Sequence, residues 1–271
     1  PLKHRFISNF ESTFILIEFF IRNINDKSLL RKSRLIISLP CQVTQHEKLA
    51  IEELGKNLGA RYVDLINEPM AAAIGAGFDV LESKGKMIVD IGGGTSEAAI
   101  ISLGGIVISQ AKRIGGTYLD EAIIDHLKFK YQFYIGEQTA EKLKMQVGSA
   151  LLNPMESKMC EVGGVDLKSG LPKKMTVTSA MIFQPIDLFV REIISVISKA
   201  FEECPPEVSG DLVEDGIVLV GGGALLGKLP ERLSKEMGVK VRYSANPLLS
   251  VSMGGAKVLE DYKLFDRLQV G

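Results

Sequence analysis

Two hydrophobic patterns alternate along the chain. Short apolar runs predict buried strands at 34–39, 61–66, 86–91, 98–102, 105–113 and 216–220. Apolar residues at helical spacing predict amphipathic helices at 45–58, 70–77, 119–131, 139–148 and 185–201, and from a glycine triplet at 221–223 to about 237. A shorter, more polar pattern at 155–178 is strand-like. Strands that alternate with helices indicate an α/β fold.

Two segments in the first part of the chain can be interpreted more closely. Thr44 can cap the helix that follows it, with Glu47 completing a capping box and Gly59 ending the helix. The apolar stretch 13–24 is interrupted by Glu18 and Arg22. It is also shorter than the ~20 residues of a bilayer span, so it predicts a buried helix rather than a membrane span or a signal peptide.

Composition narrows the class of protein. The 271 residues are 46% hydrophobic and 24% charged, as in ordinary globular proteins, and their formal net charge is −1. This charge, without any basic run, gives no reason to expect nucleic-acid binding. Cys41, Cys160 and Cys204 lie far apart, which fits a reducing cytoplasm and excludes a disulfide framework or a CxxC metal site. The three histidines lack the spacing of zinc ligands.

The segment that says most about chemistry lies between the predicted strands 86–91 and 98–102. Gly92, Gly93 and Gly94 occupy a tight strand-to-strand turn, where backbone N–H groups can come close to a ligand. Asp90 precedes them and could hold Mg²⁺ through water. Thr95 follows them and could donate to a γ-phosphate or to an attacking water. The pattern predicts a phosphate clamp built on a hairpin.

A second glycine triplet, Gly221 to Gly223, follows the strand 216–220. It can bring N–H groups and a helix N-terminus to a phosphate or nucleoside, although a plain strand-to-helix turn accounts equally well for the triplet alone. A dinucleotide-binding Rossmann motif is not expected, because the spacing GxGxxG is not met.

Three charged residues are further candidates. Glu68 precedes Pro69 at a strand end, where its carboxylate could orient or deprotonate water, while simple solvation is the usual role of such a residue. Glu141 and Lys144 lie one helical turn apart. They could contact a ribose or an adenine edge, but their spacing alone favours an exposed i,i+3 ion pair.

The motifs occur in an order that resembles the MreB family of rod-shape-determining bacterial actins. The longer matching strings are NEPMAAAIG at 67–75, DIGGGTSE at 90–97, RIGG at 113–116 and VGGGALL at 220–226. Shorter ones are DEAI at 120–123, IGE at 135–137, CPPE at 204–207 and NPL at 246–248. The resemblance covers nearly the whole chain and implies an actin-like ATPase fold of duplicated, ribonuclease H-like domains.

The resemblance also implies roles for individual residues. Glu68 would position the catalytic water, Thr95 would sense the γ-phosphate, and Asp90 would be the carboxylate linked to Mg²⁺ through water. The remaining residues that would bind ATP are Gly92, Gly93, Gly94, Gly115, Gly116, Glu141, Lys144, Gly222, Gly223, Ala224 and Leu225.

The resemblance further implies partners and a location. Members of the family form double filaments under the inner membrane and guide cell-wall synthesis, so the expected partners are further copies of the chain, the membrane surface and proteins of the cell-wall elongation machinery. The expected location is the cytoplasm, at the inner face of the membrane. Leu29 and Leu30 fall where family members carry an apolar membrane-insertion loop.

Departures from the family pattern shape the expected domain organisation. Residues 1–82 and 252–271 are expected to form a partial subdomain IA, 83–118 and 183–251 subdomain IIA, and 119–182 subdomain IIB. The first phosphate hairpin and subdomain IB are not expected within these residues, so the first domain would be incomplete. Thr117 stands where the family usually has an aspartate.

Three functions remain open on the sequence. The first is an actin-like ATPase of the MreB type, and the second is a catalytically inactive actin-fold scaffold that acts through protein contacts. The third is another ATPase of the superfamily. A sugar kinase should show a catalytic aspartate with sugar-binding polar residues, and no such cluster is found. A chaperone ATPase should carry a substrate-binding domain after its core, and none is expected before Gly271.

Overall fold

The computed structural model describes residues 2–3, 6–7, 15, 17–19 and 33–268. The strands are β1 (Leu2–Lys3), β2 (Phe6–Ile7), β3 (Arg34–Leu39), β4 (Tyr62–Asn67), β5 (Lys86–Ile91), β6 (Ser96–Ser102), β7 (Gly105–Lys112), β8 (Phe133–Tyr134), β9 (Met159–Asp166), β10 (Pro172–Thr178), β11 (Ile217–Val220) and β12 (Val241–Tyr243). The helices are α1 (Gln45–Asn57), α2 (Glu68–Gly75), α3 (Gly116–Tyr131), α4 (Glu137–Val147), α5 (Ser179–Glu202), α6 (Pro206–Asp215), α7 (Leu229–Met237), α8 (Ser250–Glu260) and α9 (Tyr262–Arg267).

A five-stranded sheet in the order β12-β11-β5-β6-β7 is the centre of the structure. Strands β5, β6 and β7 form an antiparallel meander, and β11 runs parallel to both β5 and β12. Strands β5 and β6 are buried on both faces, which explains why they appear in the sequence as continuous apolar runs. The described residues also form three smaller sheets, which are the parallel pair β3-β4, the antiparallel set β10-β9-β8 and the short hairpin β1-β2.

The two faces of the large sheet are covered by separate hydrophobic cores. Met87, Val89 and Ile91 belong to the larger core, to which helices α3, α4 and α5 contribute. Ile88 belongs to a smaller core with residues of α2 and α8, on the opposite face. Because side chains alternate along a strand, Asp90 lies on the face of Ile88, towards α2.

Helices α2 and α8 cross at very close range on this second face. A Cβ atom at Gly75 would overlap the backbone carbonyl of Ser250, and one at Gly254 would overlap the carbonyl of Ala71. Only glycine lets the two backbones approach in this way. The crossing fixes α2, and with it Glu68 at the first position of that helix.

Most predicted elements are confirmed, with shifts at their ends. Strand β3 and the capping box of Thr44 and Glu47 are as predicted. Helix α5 was expected from Pro185 but begins at Ser179, because buried residues such as Ile182 continue its apolar face. This packing outweighs the cost of about 3 kcal/mol of a proline inside a helix.

The predicted N-terminal helix at 13–24 lies mostly outside the described residues. Within that range only 15 and 17–19 are described, and they are helical. The proposed membrane loop at Leu29 and Leu30 lies wholly outside them. Across the described ranges, no helix combines the length and the apolarity that a membrane crossing requires.

Candidate functional site

The turn between β5 and β6 is a tight hairpin, as the sequence predicts. In the antiparallel register Asp90 lies opposite Glu97, and the Gly92 N–H donates to the Thr95 carbonyl at 2.9 Å. A Cβ atom at Gly93 would have no atom within 4 Å, so the turn borders open space. The hydroxyl oxygen of Thr95 is buried and has no hydrogen-bond partner among the described residues. Such an orphaned polar atom is costly unless a ligand or water completes it.

The N-terminus of α3 packs directly against this hairpin. The Gly116 N–H donates to the Gly92 carbonyl and the Thr117 N–H to the Gly93 carbonyl, each at 2.9 Å. A Cβ atom at Gly115 would lie within 2.6 Å of both of these carbonyl oxygens. Gly115 and Gly116 therefore lie beside the first glycine triplet. Their small size is needed to let the helix start approach the turn.

The second glycine triplet lies at the adjacent strand end. Val220 of β11 is in register with Asp90 of β5, so both triplets follow neighbouring parallel strands. Gly221 has a φ of 85°, and a Cβ atom there would overlap a carboxylate oxygen of Asp90. The predicted helix start at this triplet is wrong, because residues Gly222–Leu225 form a 3₁₀ turn before α7 begins at Leu229. The left-handed conformation of Gly221 turns the chain away from a continuous helix.

Lys144 is held by an aspartate rather than by Glu141. Its Nζ lies 2.8 Å from Asp120 Oδ2 and donates to the Gly116 carbonyl at 3.2 Å. The exposed i,i+3 ion pair that spacing favoured is therefore wrong, since the partner comes from α3 and the pair is largely buried. Burial raises the pKa of Asp120, although the hydrogen bond and the charge of Lys144 act against this rise. Asp120 Oδ1 is also buried without a partner among the described residues.

Glu97 is a buried acidic residue that the sequence interpretation missed. It is 1% exposed and lies on the face of Asp90. Its Oε1 accepts hydrogen bonds from the Ser109 hydroxyl at 2.7 Å and from the Cys41 N–H at 3.4 Å. The available signal was a glutamate in the otherwise small and apolar strand Ser96–Ser102.

Cys41 connects this group to Glu68. Burial is the main reason why the pKa of its thiol is raised, and the nearby charges of Glu97 and Glu68 raise it further. Glu68 is half-buried at the start of α2, directly after β4. The predicted Glu68, Asp90 and Thr95 therefore lie around the same face and edge of the large sheet.

The family of the chain follows from comparison with known proteins. The model of the MreB/Mbl protein family matches residues 1–267. The chain belongs to the MreB/Mbl family. This membership confirms the resemblance seen in the motifs, and it makes the chain a bacterial actin-like protein of the cell-shape-determining kind.

Relatives of the MreB/Mbl family align over almost all of the chain. Cell shape-determining protein MreB of Escherichia coli strain K12 is 44% identical over 261 residues, which are 96% of this chain and 75% of the relative. Cell shape-determining protein Mbl of Bacillus subtilis strain 168 is 36% identical over 261 residues, which are 96% of this chain and 78% of that protein.

Solved structures confirm the actin-like α/β fold of this MreB/Mbl chain. The crystal structure of MreB5 of Spiroplasma citri bound to AMPPNP superposes with a TM-score of 0.93 at 28% identity, covering 97% of this chain and 79% of the other. The same protein bound to ADP gives a TM-score of 0.91 at 28% identity, with 98% and 79% covered. The MamK double helical filament, at 18% identity and a TM-score of 0.74 over 93% of this chain and 76% of that one, shares the fold.

Proposed function

We propose that this MreB/Mbl chain binds Mg²⁺-ATP at the β5–β6 hairpin and uses the nucleotide to control assembly into filaments. The observation that carries the proposal is the buried hydroxyl of Thr95, which has no hydrogen-bond partner in the described part of the chain and lies beside the open space at Gly93. A phosphate oxygen would accept from this hydroxyl and remove the cost of leaving it unpaired. MreB5 of Spiroplasma citri, with AMPPNP or ADP bound, supports the proposal by its similarity.

The residues around the hairpin have the right chemistry for a phosphate and its metal ion. The backbone at Gly92, Gly93 and Gly94 would accommodate the phosphate oxygens, because no side chain blocks their approach. Asp90 is 3% exposed at the end of β5 and would hold Mg²⁺ through water. Among the described residues no group of three or more His, Cys, Asp or Glu could ligate a metal ion. A single carboxylate acting together with phosphate oxygens is the usual arrangement for Mg²⁺.

The nucleoside would lie between the start of α3, the helix α4 and the second triplet. Glu141 is exposed on α4 and would be available to the ribose or the base edge. The Lys144 Nζ is held by Asp120 and the Gly116 carbonyl, so it would offer the nucleoside a positive charge at a fixed position. The other residues that we assign to nucleotide binding are Gly115, Gly116, Gly222, Gly223, Ala224 and Leu225. The exposed side chain of Leu225 offers an apolar surface to the base.

Hydrolysis would depend mainly on positioning and on charge. Bound Mg²⁺ would neutralise the charge that develops on the transferred phosphoryl group. Glu68 would orient the attacking water through its carboxylate, and the Thr95 hydroxyl would donate a hydrogen bond to the terminal phosphate. Replacing Glu68 by alanine should therefore slow phosphate release and leave the affinity for Mg²⁺-ATP largely unchanged. Unchanged turnover would remove Glu68 from this role.

The proposed cellular role is that of a filament under the membrane. Copies of the chain would assemble into protofilaments at the inner face of the cell membrane, in the cytoplasm, and direct the cell-wall elongation machinery and thus peptidoglycan synthesis. The family and the names of the relatives support this role. The division into subdomains IA, IIA and IIB at the boundaries given above stays a prediction.

Calorimetric titration with Mg²⁺-ATP tests the proposal. Thr95→Val keeps the side-chain shape and removes the hydroxyl, so it should weaken binding about fivefold to tenfold, the value of about one hydrogen bond. Thr176→Val, an exposed threonine on β10, is the matched control and should bind as the unaltered chain does. Electron microscopy with and without the nucleotide then tests filament formation. The absence of binding heat in the unaltered chain would favour the inactive scaffold.

A further inference from the structure

The carboxylate of Glu97 is buried, and the residues that the structure describes give it no cationic partner. The side chain is 1% exposed, and no ion pair links it to a lysine, arginine or histidine in the described part of the chain. It also lies directly opposite Asp90 in the β5–β6 register, so two acidic side chains share one face. Like charges directly opposite in a sheet are destabilising. A residue kept in such a place must be held by other interactions.

Those interactions are hydrogen bonds that join two parts of the fold. The Ser109 hydroxyl comes from β7, the neighbouring strand of the same sheet. The Cys41 N–H comes from the segment between β3 and α1, 56 residues earlier in the chain. Both groups donate to the same oxygen, Glu97 Oε1. One acceptor thus connects the five-stranded sheet to the end of the β3–β4 sheet.

This connection reaches the segment that carries Glu68. Leu39, at the end of β3, is in register with Asn67, at the end of β4, and Glu68 follows Asn67 directly. Cys41 lies two residues beyond Leu39, so it follows the strand end that is paired with Asn67, and the charge of Glu68 contributes to the raised pKa of its thiol. Glu97 therefore holds the strand ends next to Glu68 at a fixed position relative to the hairpin that ends in Thr95.

We propose that Glu97 is a positioning residue. By accepting a hydrogen bond from the Cys41 N–H, it fixes the β5–β6 hairpin relative to the ends of β3 and β4, where Glu68 lies. The inference rests on the proposed nucleotide site and adds a residue to it. Glu97 acts by accepting hydrogen bonds, and its charge is not needed. Glu97→Gln retains an acceptor oxygen, whereas Glu97→Ala removes it, so the two variants separate hydrogen bonding from charge.

The first test uses the nucleotide-free protein. Amide hydrogen exchange of a peptide covering 40–44 should be about tenfold faster in Glu97→Ala, because the Cys41 N–H loses its acceptor and local opening becomes more favourable. Glu97→Gln should exchange as the unaltered chain does. Ser109→Ala should give a smaller increase. Its matched control is Ser102→Ala, whose hydroxyl donates at the same 2.7 Å distance but to the Ser83 carbonyl, and it should give none.

The second test uses Mg²⁺-ATP. In the unaltered chain and in Glu97→Gln, the nucleotide should slow exchange at 40–44, and in Glu97→Ala it should not. Phosphate release should fall about tenfold in Glu97→Ala while the dissociation constant changes less than about twofold, as expected when only positioning is lost. Failure of the unaltered chain to bind Mg²⁺-ATP would overturn the proposed function. Normal binding with equal exchange in Glu97→Ala, or with Glu97→Gln as impaired as Glu97→Ala, would overturn the role of Glu97 alone.

Discussion

Lys144 of α4 and Asp120 of α3 form a largely buried ion pair, with 2.8 Å between Nζ and Oδ2. The same Nζ donates to the carbonyl of Gly116, in the first turn of α3. In that turn the Gly116 and Thr117 N–H groups donate hydrogen bonds to carbonyls of the β5–β6 hairpin. The ion pair therefore connects α4 to the hairpin through α3. It also keeps a lysine near the proposed nucleoside.

Removing the lysine should leave a buried charge unpaired. Lys144→Met is expected to lower the free energy of unfolding by about 2–3 kcal/mol, slightly less than for a fully buried pair. Adding Asp120→Asn should recover most of this loss, since a neutral amide does not require a cation. Urea denaturation at pH 7 measures both effects. Lys174→Met, in an exposed pair with Glu161, is the control and should cost less than about 1 kcal/mol. Equal losses at the two lysines would contradict the account.

The α2–α8 crossing should not tolerate a methyl group. Gly254→Ala places a Cβ atom on the carbonyl of Ala71 and should cost at least about 2–3 kcal/mol, because backbone must move to relieve the overlap. Gly210→Ala lies in α6 with no atom near the new methyl group. It should be neutral or stabilising by up to about 1 kcal/mol. Chemical denaturation measures the free energy of unfolding of both variants. If Gly254→Ala were as stable as the unaltered chain, α2 and α8 would have to lie further apart than described.

Asp215, which pairs with two lysines, gives the free energy of unfolding a defined pH dependence. Hydrogen bonds from Lys86 and Lys84 lower the pKa of Asp215 to about 2. Because the folded pKa lies below the unfolded value, the contribution of Asp215 is complete above about pH 4 and disappears as the pH falls towards 2. Asp215→Asn should thus destabilise the chain at pH 7, by no more than about 1 kcal/mol, because the side chain is only partly buried and water screens its ion pairs. A difference that stays constant down to pH 2 would contradict the assignment.

The local features of the fold could be predicted from the sequence, and its long-range contacts could not. The capping box of Thr44 and Glu47 and the glycine hairpin after Asp90 depend on neighbouring residues, which the sequence places together. The bond from Cys41 to Glu97 joins residues 56 positions apart, and no spacing rule anticipates it. Spacing also suggested the wrong partner for Lys144, because tertiary packing offered a better buried acceptor on another helix.

The second glycine triplet shows a different limit of sequence interpretation. Three consecutive glycines permit many turns, and Gly221 has a positive φ at a place where a Cβ atom would overlap Asp90 and Ile91. These residues come from a strand more than a hundred positions earlier. The predicted helix therefore failed at its start and held in its later part, where α7 has its apolar spacing.

The thiol of Cys41 should report the charge of Glu97. At pH 8 iodoacetamide should modify Cys41 slowly, because burial and the Glu97 charge raise its pKa and only the thiolate reacts. Glu97→Gln removes that charge and should accelerate modification at Cys41. Cys160 and Cys204 serve as internal controls and should keep their rates, as followed by peptide mass spectrometry. Equal acceleration at all three sites would indicate general loosening of the fold instead.

If a nucleotide phosphate occupies the open space at the glycine hairpin, a side chain placed there should compete with the phosphate for that space. Gly93 has no left-handed backbone conformation and no neighbour within 4 Å of a new Cβ, so Gly93→Val should fold normally. Gly163→Val, equally open on β9, is the matched control.

Calorimetric titration of both variants with Mg²⁺-ATP gives the decisive comparison. Gly93→Val should lose affinity at least about tenfold, or about 1.4 kcal/mol, while Gly163→Val should bind as the unaltered chain does. Equal binding by Gly93→Val and the unaltered chain would contradict the assignment of the hairpin as the phosphate site.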